Sequence, residues 1–89
     1  MIEKVKKAAR ITNSALDDEI ERLIEWSKAE LVRAGVPEII VENEGNALVT
    51  QAIISGSLTQ LANDPDSRAE AKEAWEYQKD ILRKHKWGD

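Results

Sequence analysis

The stretch that decides the fold is Ala15-Leu16-Asp17-Asp18-Glu19-Ile20-Glu21-Arg22-Leu23-Ile24-Glu25-Trp26-Ser27-Lys28-Ala29-Glu30-Leu31-Val32-Arg33-Ala34-Gly35-Val36-Pro37. Leu16, Ile20, Leu23, Ile24, Ser27, Leu31 and Ala34 recur at three- and four-residue steps, while Glu21, Arg22, Glu25, Lys28 and Glu30 fall off that stripe. This spacing places the apolar side chains on one side of a helix and the charges on the other. It predicts a helix over about residues 15–34. Gly35 tolerates the left-handed position after a helix and Pro37 cannot continue one, so the stop is encoded twice. Upstream, Thr12, Asn13 and Ser14 are all N-cap residue types. Ser14 with Asp17 resembles a capping box in which aspartate replaces glutamate. Asp17, Asp18 and Glu19 complement the positive helix start. Trp26 lies off the main stripe near Arg22 and Glu30, so it is expected to cover a neighbouring element or a partner chain.

Working outward, Ile2, Val5 and Ala9 mark a two-turn amphipathic helix over residues 2–9, with Lys4, Lys6 and Lys7 off its stripe. A helix that short must dock on something. Residues 36–46 contain Ile39-Ile40-Val41, a three-residue apolar run with no second strand to pair with. A helical turn or an extended loop over the core is expected there. Residues 47–62 carry Leu48, Gln51, Ala52, Ile54, Ser55, Leu58 and Leu61 at helical spacing. Gly56, in the middle of that helix, costs about 1 kcal/mol relative to Ala, so close packing by another helix is the expected compensation. Asn63-Asp64-Pro65-Asp66 is turn chemistry. Asp66 or Ser67 is then expected to cap a last helix over about 67–86, with Ala71, Ala74, Trp75, Gln78, Ile81, Leu82 and His85 inward. Residues 1–89 thus read as one domain: all-α, a small bundle of three main helices plus a short N-terminal helix.

Composition narrows the function. The 89 residues contain no cysteine and no phenylalanine, one histidine, three tryptophans and a net charge of −4. Without cysteine there is no disulfide, thiolate zinc site or thiol nucleophile. His85 alone, with only Asp89 at a helical step from it, does not make a metal site or a triad. Carboxylate pairs such as Asp17 with Asp18, or Glu70 with Glu73, are explained by capping and solvation. The four glycines are scattered singly, so no phosphate-cradling loop exists. No apolar run approaches the roughly 18 residues that span a bilayer. Residues 1–10 lack the apolar centre of a signal peptide. The expectation is a soluble, cytosolic, non-enzymatic chain without a cofactor, a metal or a membrane partner.

The distribution of charge says more than its sum. Residues 1–10 carry +3 and residues 79–89 carry +2, which leaves −9 for the body between them. A nucleic-acid-binding chain would show a basic face. An acidic body with basic ends suits contacts between copies instead. Aromatic bulk is concentrated at Trp26, Trp75 and Trp87. Trp75 is expected in the core, whereas Trp26 and Trp87 are candidates for an interface, where tryptophan is enriched. With Ile39, Ile40, Val41 and Tyr77 they make up the candidate subunit or partner interface.

Several segments carry a resemblance. Glu3-Lys4-Val5-Lys6-Lys7-Ala8-Ala9-Arg10-Ile11-Thr12, Leu16-Asp17-Asp18-Glu19-Ile20, Leu23-Ile24, Ala29-Glu30-Leu31 and Ala34-Gly35-Val36 are similar to the head–tail connector family of tailed phages and prophages, also described as DNA-packaging proteins. Further matches are Gln51-Ala52-Ile53-Ile54, Tyr77, Lys79 and Leu82. Ala9 stands where that family usually has leucine, and Asn63-Asp64-Pro65-Asp66 replaces its glycine-aromatic connection. The resemblance implies a structural protein without chemistry. It would form a ring of copies beneath the portal protein, extend the DNA channel without binding DNA specifically, and receive a downstream head-completion or tail protein. Its place would be the head–tail junction of the virion, and the host cytoplasm during assembly. The other reading is a small cytosolic helical regulator or antitoxin-like interaction protein. That reading requires a basic, base-reading helix, and the 15–34 helix is acidic.

Overall fold

The computed structural model describes residues 1–43 and 45–85, and five helices run through them: α1 (Ile2–Ala9), α2 (Asp17–Arg33), α3 (Glu38–Val41), α4 (Ala47–Leu61) and α5 (Pro65–Lys84). No strand occurs among the described residues, and the chain is all-α, with three main helices, the short α1 and the single turn α3. Its principal extents are 41 × 24 × 18 Å.

α4 is the axis of the bundle. It packs against α5, α2 and α1, and its sequence carries no charged side chain. The apolar stripe expected along α4 is buried in part: Ala52 and Ser55 are buried, Leu48 and Gln51 are exposed, and Val49 and Ile53, which lie off that stripe, are buried as well. Three helices surround α4, so burial runs most of the way round it, and choosing a single face from its period placed Leu48 wrongly. Asn46 caps its start by accepting a hydrogen bond from the Val49 N–H at 3.1 Å.

Gly56 is where the packing is tightest. A Cβ there would lie 2.6 Å from Ser27 Oγ on α2 and 3.1 Å from Trp75 Cε3 and Cζ3 on α5. The compensation expected for a mid-helix glycine is therefore present, with α2 and α5 as its beneficiaries. Ser27 is completely buried, and its hydroxyl has no hydrogen-bond partner.

α2 buries Ile20, Ile24, Ser27 and Leu31, four members of the predicted stripe. Its start differs from the sequence reading. No capping box forms: Leu16 holds the cap position without a side-chain bond, the Asp17 N–H reaches the Ser14 carbonyl at 3.2 Å, and Asn13 Oδ1 accepts from the Ala15 N–H at 3.0 Å. The turn is closed by Asn13, so Ser14 is not needed as a cap and Leu16 is left partly exposed. At the other end the Val36 N–H donates to the Leu31 carbonyl and the Gly35 N–H to Val32, each at 3.0 Å, with Gly35 at φ +113°. This is a Schellman stop. Val36 and Leu31 are both buried beside it.

α1 ends with the same pair of bonds, from Ile11 to Lys6 and from Arg10 to Lys7, but the left-handed residue is Arg10, at φ +60°. α1 docks through Val5, which is fully buried, and through Lys6, which the sequence pattern had placed outside the stripe. Lys6 is buried because its ammonium reaches Asp17 Oδ1, 3.0 Å away at the first residue of α2, although Asp17 Oδ1 receives no well-aligned hydrogen bond. The aliphatic stem of a lysine packs as an apolar group while its charged end finds a partner.

α5 begins earlier than expected. Asp64 is its cap, accepting from the Ser67 N–H at 3.0 Å, and Pro65 occupies the first turn, where its missing N–H costs nothing. The helix ends at Lys84. Of the residues expected inward, Ala71, Trp75 and Leu82 are buried, whereas Ile81 and His85 are exposed.

Candidate functional site

The structure sorts the candidate interface residues into three groups. Trp26 and Tyr77 are on the surface, 40% and 69% exposed, and Ile39 is 80% exposed. Val41 is buried, so it belongs to the core, and Ile40 is partly buried against that core. The reason is geometric: in the single turn of α3, consecutive residues point about 100° apart, so three adjacent apolar side chains cannot share one face. Trp87 lies outside the described residues.

Trp26 sits on α2 with its ring centroid 5.9 Å from that of Trp75 on α5, the planes tilted by 38°. It covers the edge of a core residue, as expected of a tryptophan off the main stripe, and keeps part of its ring in solvent. Trp75 itself is only 3% exposed. Lys79 Nζ stands 4.9 Å from the Trp75 ring centroid and 3.4 Å from Glu76 Oε1. Beside Trp26 runs a groove of about 390 Å³, floored by Thr59 and Gln60 of α4 and bordered by Arg68, Lys72 and Glu76 of α5. Arg68 Nε donates to the Ala62 carbonyl at 2.7 Å, so this cation also closes the end of α4. Tyr77 is two residues from Trp75, about 200° round the helix, and therefore points away from the Trp26 side.

A second groove, about 640 Å³, lies between the end of α1 and α5 over α4. It is walled largely by small side chains, among them Ala8, Ala9, Ser55, Ala71 and Ala74, with Arg10, Asp64 and Glu70 at its edges. Hydrogen bonding by Ser67 at the start of α5 holds the Asp64 carboxyl below the usual aspartate range. Asp80 is likewise lowered, first by the Arg83 guanidinium and then by Lys84, 3.0 Å away. Both groups are open to water, and each is explained by a cap or an ion pair within α5.

Among the described residues no group of three or more acidic or histidine side chains is placed to hold a metal ion, and no helix is long and apolar enough to cross a membrane. The surface instead offers apolar side chains dispersed among charges, including Val32, which the sequence pattern does not single out, and Leu48, which it places inward. It had also passed over Arg68 and Lys72. Their signal was available: Arg68, Lys72, Trp75, Lys79 and Arg83 follow one another at three- and four-residue steps along α5. Comparison with family models, with curated proteins and with solved structures finds no match to this chain.

Proposed function

We propose that this protein is a structural connector that self-assembles into a ring, in the manner of the phage head–tail connectors its sequence resembles. In this reading it seats on a portal protein, extends a channel through which DNA passes without specific binding, and presents a platform to a downstream head-completion or tail protein. The observation that carries the reading is the pairing of an acidic surface on α2, six carboxylates against three cations, with large apolar side chains left in solvent at Trp26, Ile39 and Tyr77. Like charge keeps DNA from adhering to a channel wall. Exposed aromatic residues among charges are what subunit interfaces bury. The order of elements, a short basic helix, a polar break, an acidic helix and an Ala-Gly-Val stop, also follows the family pattern that suggested it.

Electron microscopy of the purified protein, alone and with its cognate portal, tests the proposal. Rings, or added density on the portal, are expected. Stable monomers in both preparations would refute it. A helical regulator would instead retard DNA in a salt-dependent manner.

A further inference from the structure

α1 is joined to the bundle by a site on α2 and α4 and by a connection that is out in water. At the site Val5 is buried, with Met1, Ile2 and Ile11 partly buried against the core. The connection to α2, residues 10–16, is exposed except at Ile11. Asn13 Oδ1 turns it by accepting from the Ala15 N–H, and the Ser14 carbonyl by accepting from the Asp17 N–H. Its first residue, Arg10, is left-handed at φ +60°, which strains a side chain that has a Cβ. Its last, Leu16, takes the cap position of α2 without a side-chain bond. The Lys6–Asp17 ion pair spans this connection, since Asp17 is the first residue of α2. Short connections under strain invite exchange of a terminal element between copies. The helix-to-site contacts are then the same in both arrangements, and only the connection differs.

We propose that in the assembled protein α1 leaves its own site and docks on α2 and α4 of the next copy, with Val5 entering that site and Lys6 pairing with the Asp17 it finds there. A helix of eight residues is not stable away from a site, and the surface that matches its apolar side is the same site on a second copy of this chain. Fully extended, the connection reaches about 23 Å. The molecule is 24 and 18 Å across its two shorter extents, so α1 can cross to a neighbour while its own α2 stays in place. Extension also releases Arg10 from its left-handed conformation, which favours the exchanged arrangement. Each copy gives one helix and receives one, so the exchange propagates head to tail and closes if the rotation per copy allows. Copies gathered on a common platform raise the effective concentration of neighbouring sites, so exchange belongs to the assembled protein rather than the dilute one. The inference rests on the self-assembly proposed above and supplies its contact.

Equal amounts of unlabelled protein and protein grown on heavy nitrogen, unfolded together in urea and refolded at high concentration, test it. A carbodiimide joins the Lys6 amine to the Asp17 carboxylate, and trypsin cleavage at Arg10 puts the two ends of the link on separate peptides in either arrangement. Linked pairs with one light and one heavy peptide are expected in the assembled fraction from a sizing column. Unmixed pairs alone, whether the protein is assembled or monomeric, would overturn the exchange. With rings present, that result leaves ring formation and portal binding standing. Mixed pairs in a closed dimer that adds no density to the portal would uphold the exchange and refute the ring, so the two proposals fail separately. A second readout does not depend on the link. About six Gly/Ser residues inserted after Thr12 let α1 reach its own site without strain, and should shift the protein to monomer with unchanged helicity. Arg10→Gly, which removes the strain of the closed form, should weaken assembly about fivefold per connection. Assembly of the lengthened protein at wild-type strength would overturn the proposal.

Discussion

Replacing Gly56 by alanine tests the packing at the centre of the bundle. In an unencumbered helix interior the change is favourable by about 1 kcal/mol, because glycine has more backbone freedom to lose on folding. Here the new methyl would lie 2.6 Å from Ser27 Oγ and 3.1 Å from two carbons of the Trp75 ring. Both neighbours are buried, and Trp75 has α2 and α4 against it, so neither is the loose end of a flexible side chain. Overpacking of this kind costs about 1–3 kcal/mol. Set against the propensity gain, the expected outcome is a net loss of about 1 kcal/mol, or about 4–8 °C in melting temperature for a domain of this size. Ser27→Ala supplies the control. Its hydroxyl is buried without a partner, so removing it should leave stability unchanged or raise it by up to about 1 kcal/mol. In the Ser27→Ala background the Gly56→Ala methyl meets only the Trp75 ring, and its cost should fall by at least about 0.5 kcal/mol. Urea titrations of the four proteins, followed by far-UV circular dichroism and tryptophan fluorescence, measure the cycle. If Gly56→Ala alone raises the midpoint, or the two changes simply add, the three-helix contact is not what keeps glycine at this position.

Further outcomes follow from the ends and caps of the helices. Arg10→Gly should stabilise the chain by about 1 kcal/mol, since the left-handed conformation at the end of α1 strains an arginine and suits glycine. Gly35→Ala, at φ +113°, should lose about as much, and thermal melts of both variants read the two signs together. Asp17→Asn leaves the buried Lys6 ammonium without its counter-charge and should cost about 1–2 kcal/mol, because Asp17 is itself partly solvated. Lys6→Met, which keeps the packed stem, should change stability by less than about 1 kcal/mol in the same urea assay. The Asp64 carboxyl is lowered on folding, so its contribution is present above the unfolded-state pKa and is lost as pH falls through the lower folded value. Asp64→Asn keeps a cap acceptor but should flatten that acid-side loss in melts taken from neutral to strongly acidic pH.

The helices were legible wherever one face decided burial. α2 shows this best: Ile20, Ile24, Ser27 and Leu31 are buried as their spacing predicts, and Gly35 stops the helix as glycine does. α4 was legible as a helix and in the burial of Ala52 and Ser55, but not in that of Val49 and Ile53, because a helix packed against three others buries side chains beyond any single stripe. Caps are legible as residue types but not as positions. Asp64 caps α5 two residues before Asp66, and before α2 Asn13 closes a turn while Leu16 takes the cap position, choices that only the path of the chain makes. Lys6 looked like surface because its partner, Asp17, belongs to the next helix, and periodicity within one helix carries no information about another. Of the candidate interface residues, Trp26, Ile39 and Tyr77 are exposed; Trp26 is marked by its place off the α2 stripe, and Tyr77 by the family resemblance. Val41 is buried while its neighbour Ile39 is exposed, because an apolar tripeptide in one helical turn does not form one patch. Arg68 and Lys72 were missed because cations on a helix ordinarily signal nothing more than solvation.

An uncharged α4 touching α1, α2 and α5 fixes the order in which the molecule comes apart. α4 and α5 are joined by a three-residue connection, Ala62 to Asp64, and share the most extensive helix–helix interface in the bundle. Contacts so near in sequence close at small entropic cost and form early. α1 is the reverse case: it is short, reaches α4 from far along the chain, and is held by one fully buried valine, the partly buried Met1, Ile2 and Ile11, and one ion pair. Its amides should therefore exchange with deuterium through openings that leave α4 and α5 intact, and a protease should cut at the Ile11–Ser14 break before it cuts within α4 or α5. The centre of the bundle would then outlast its amino-terminal helix, which can detach and return without unfolding the rest.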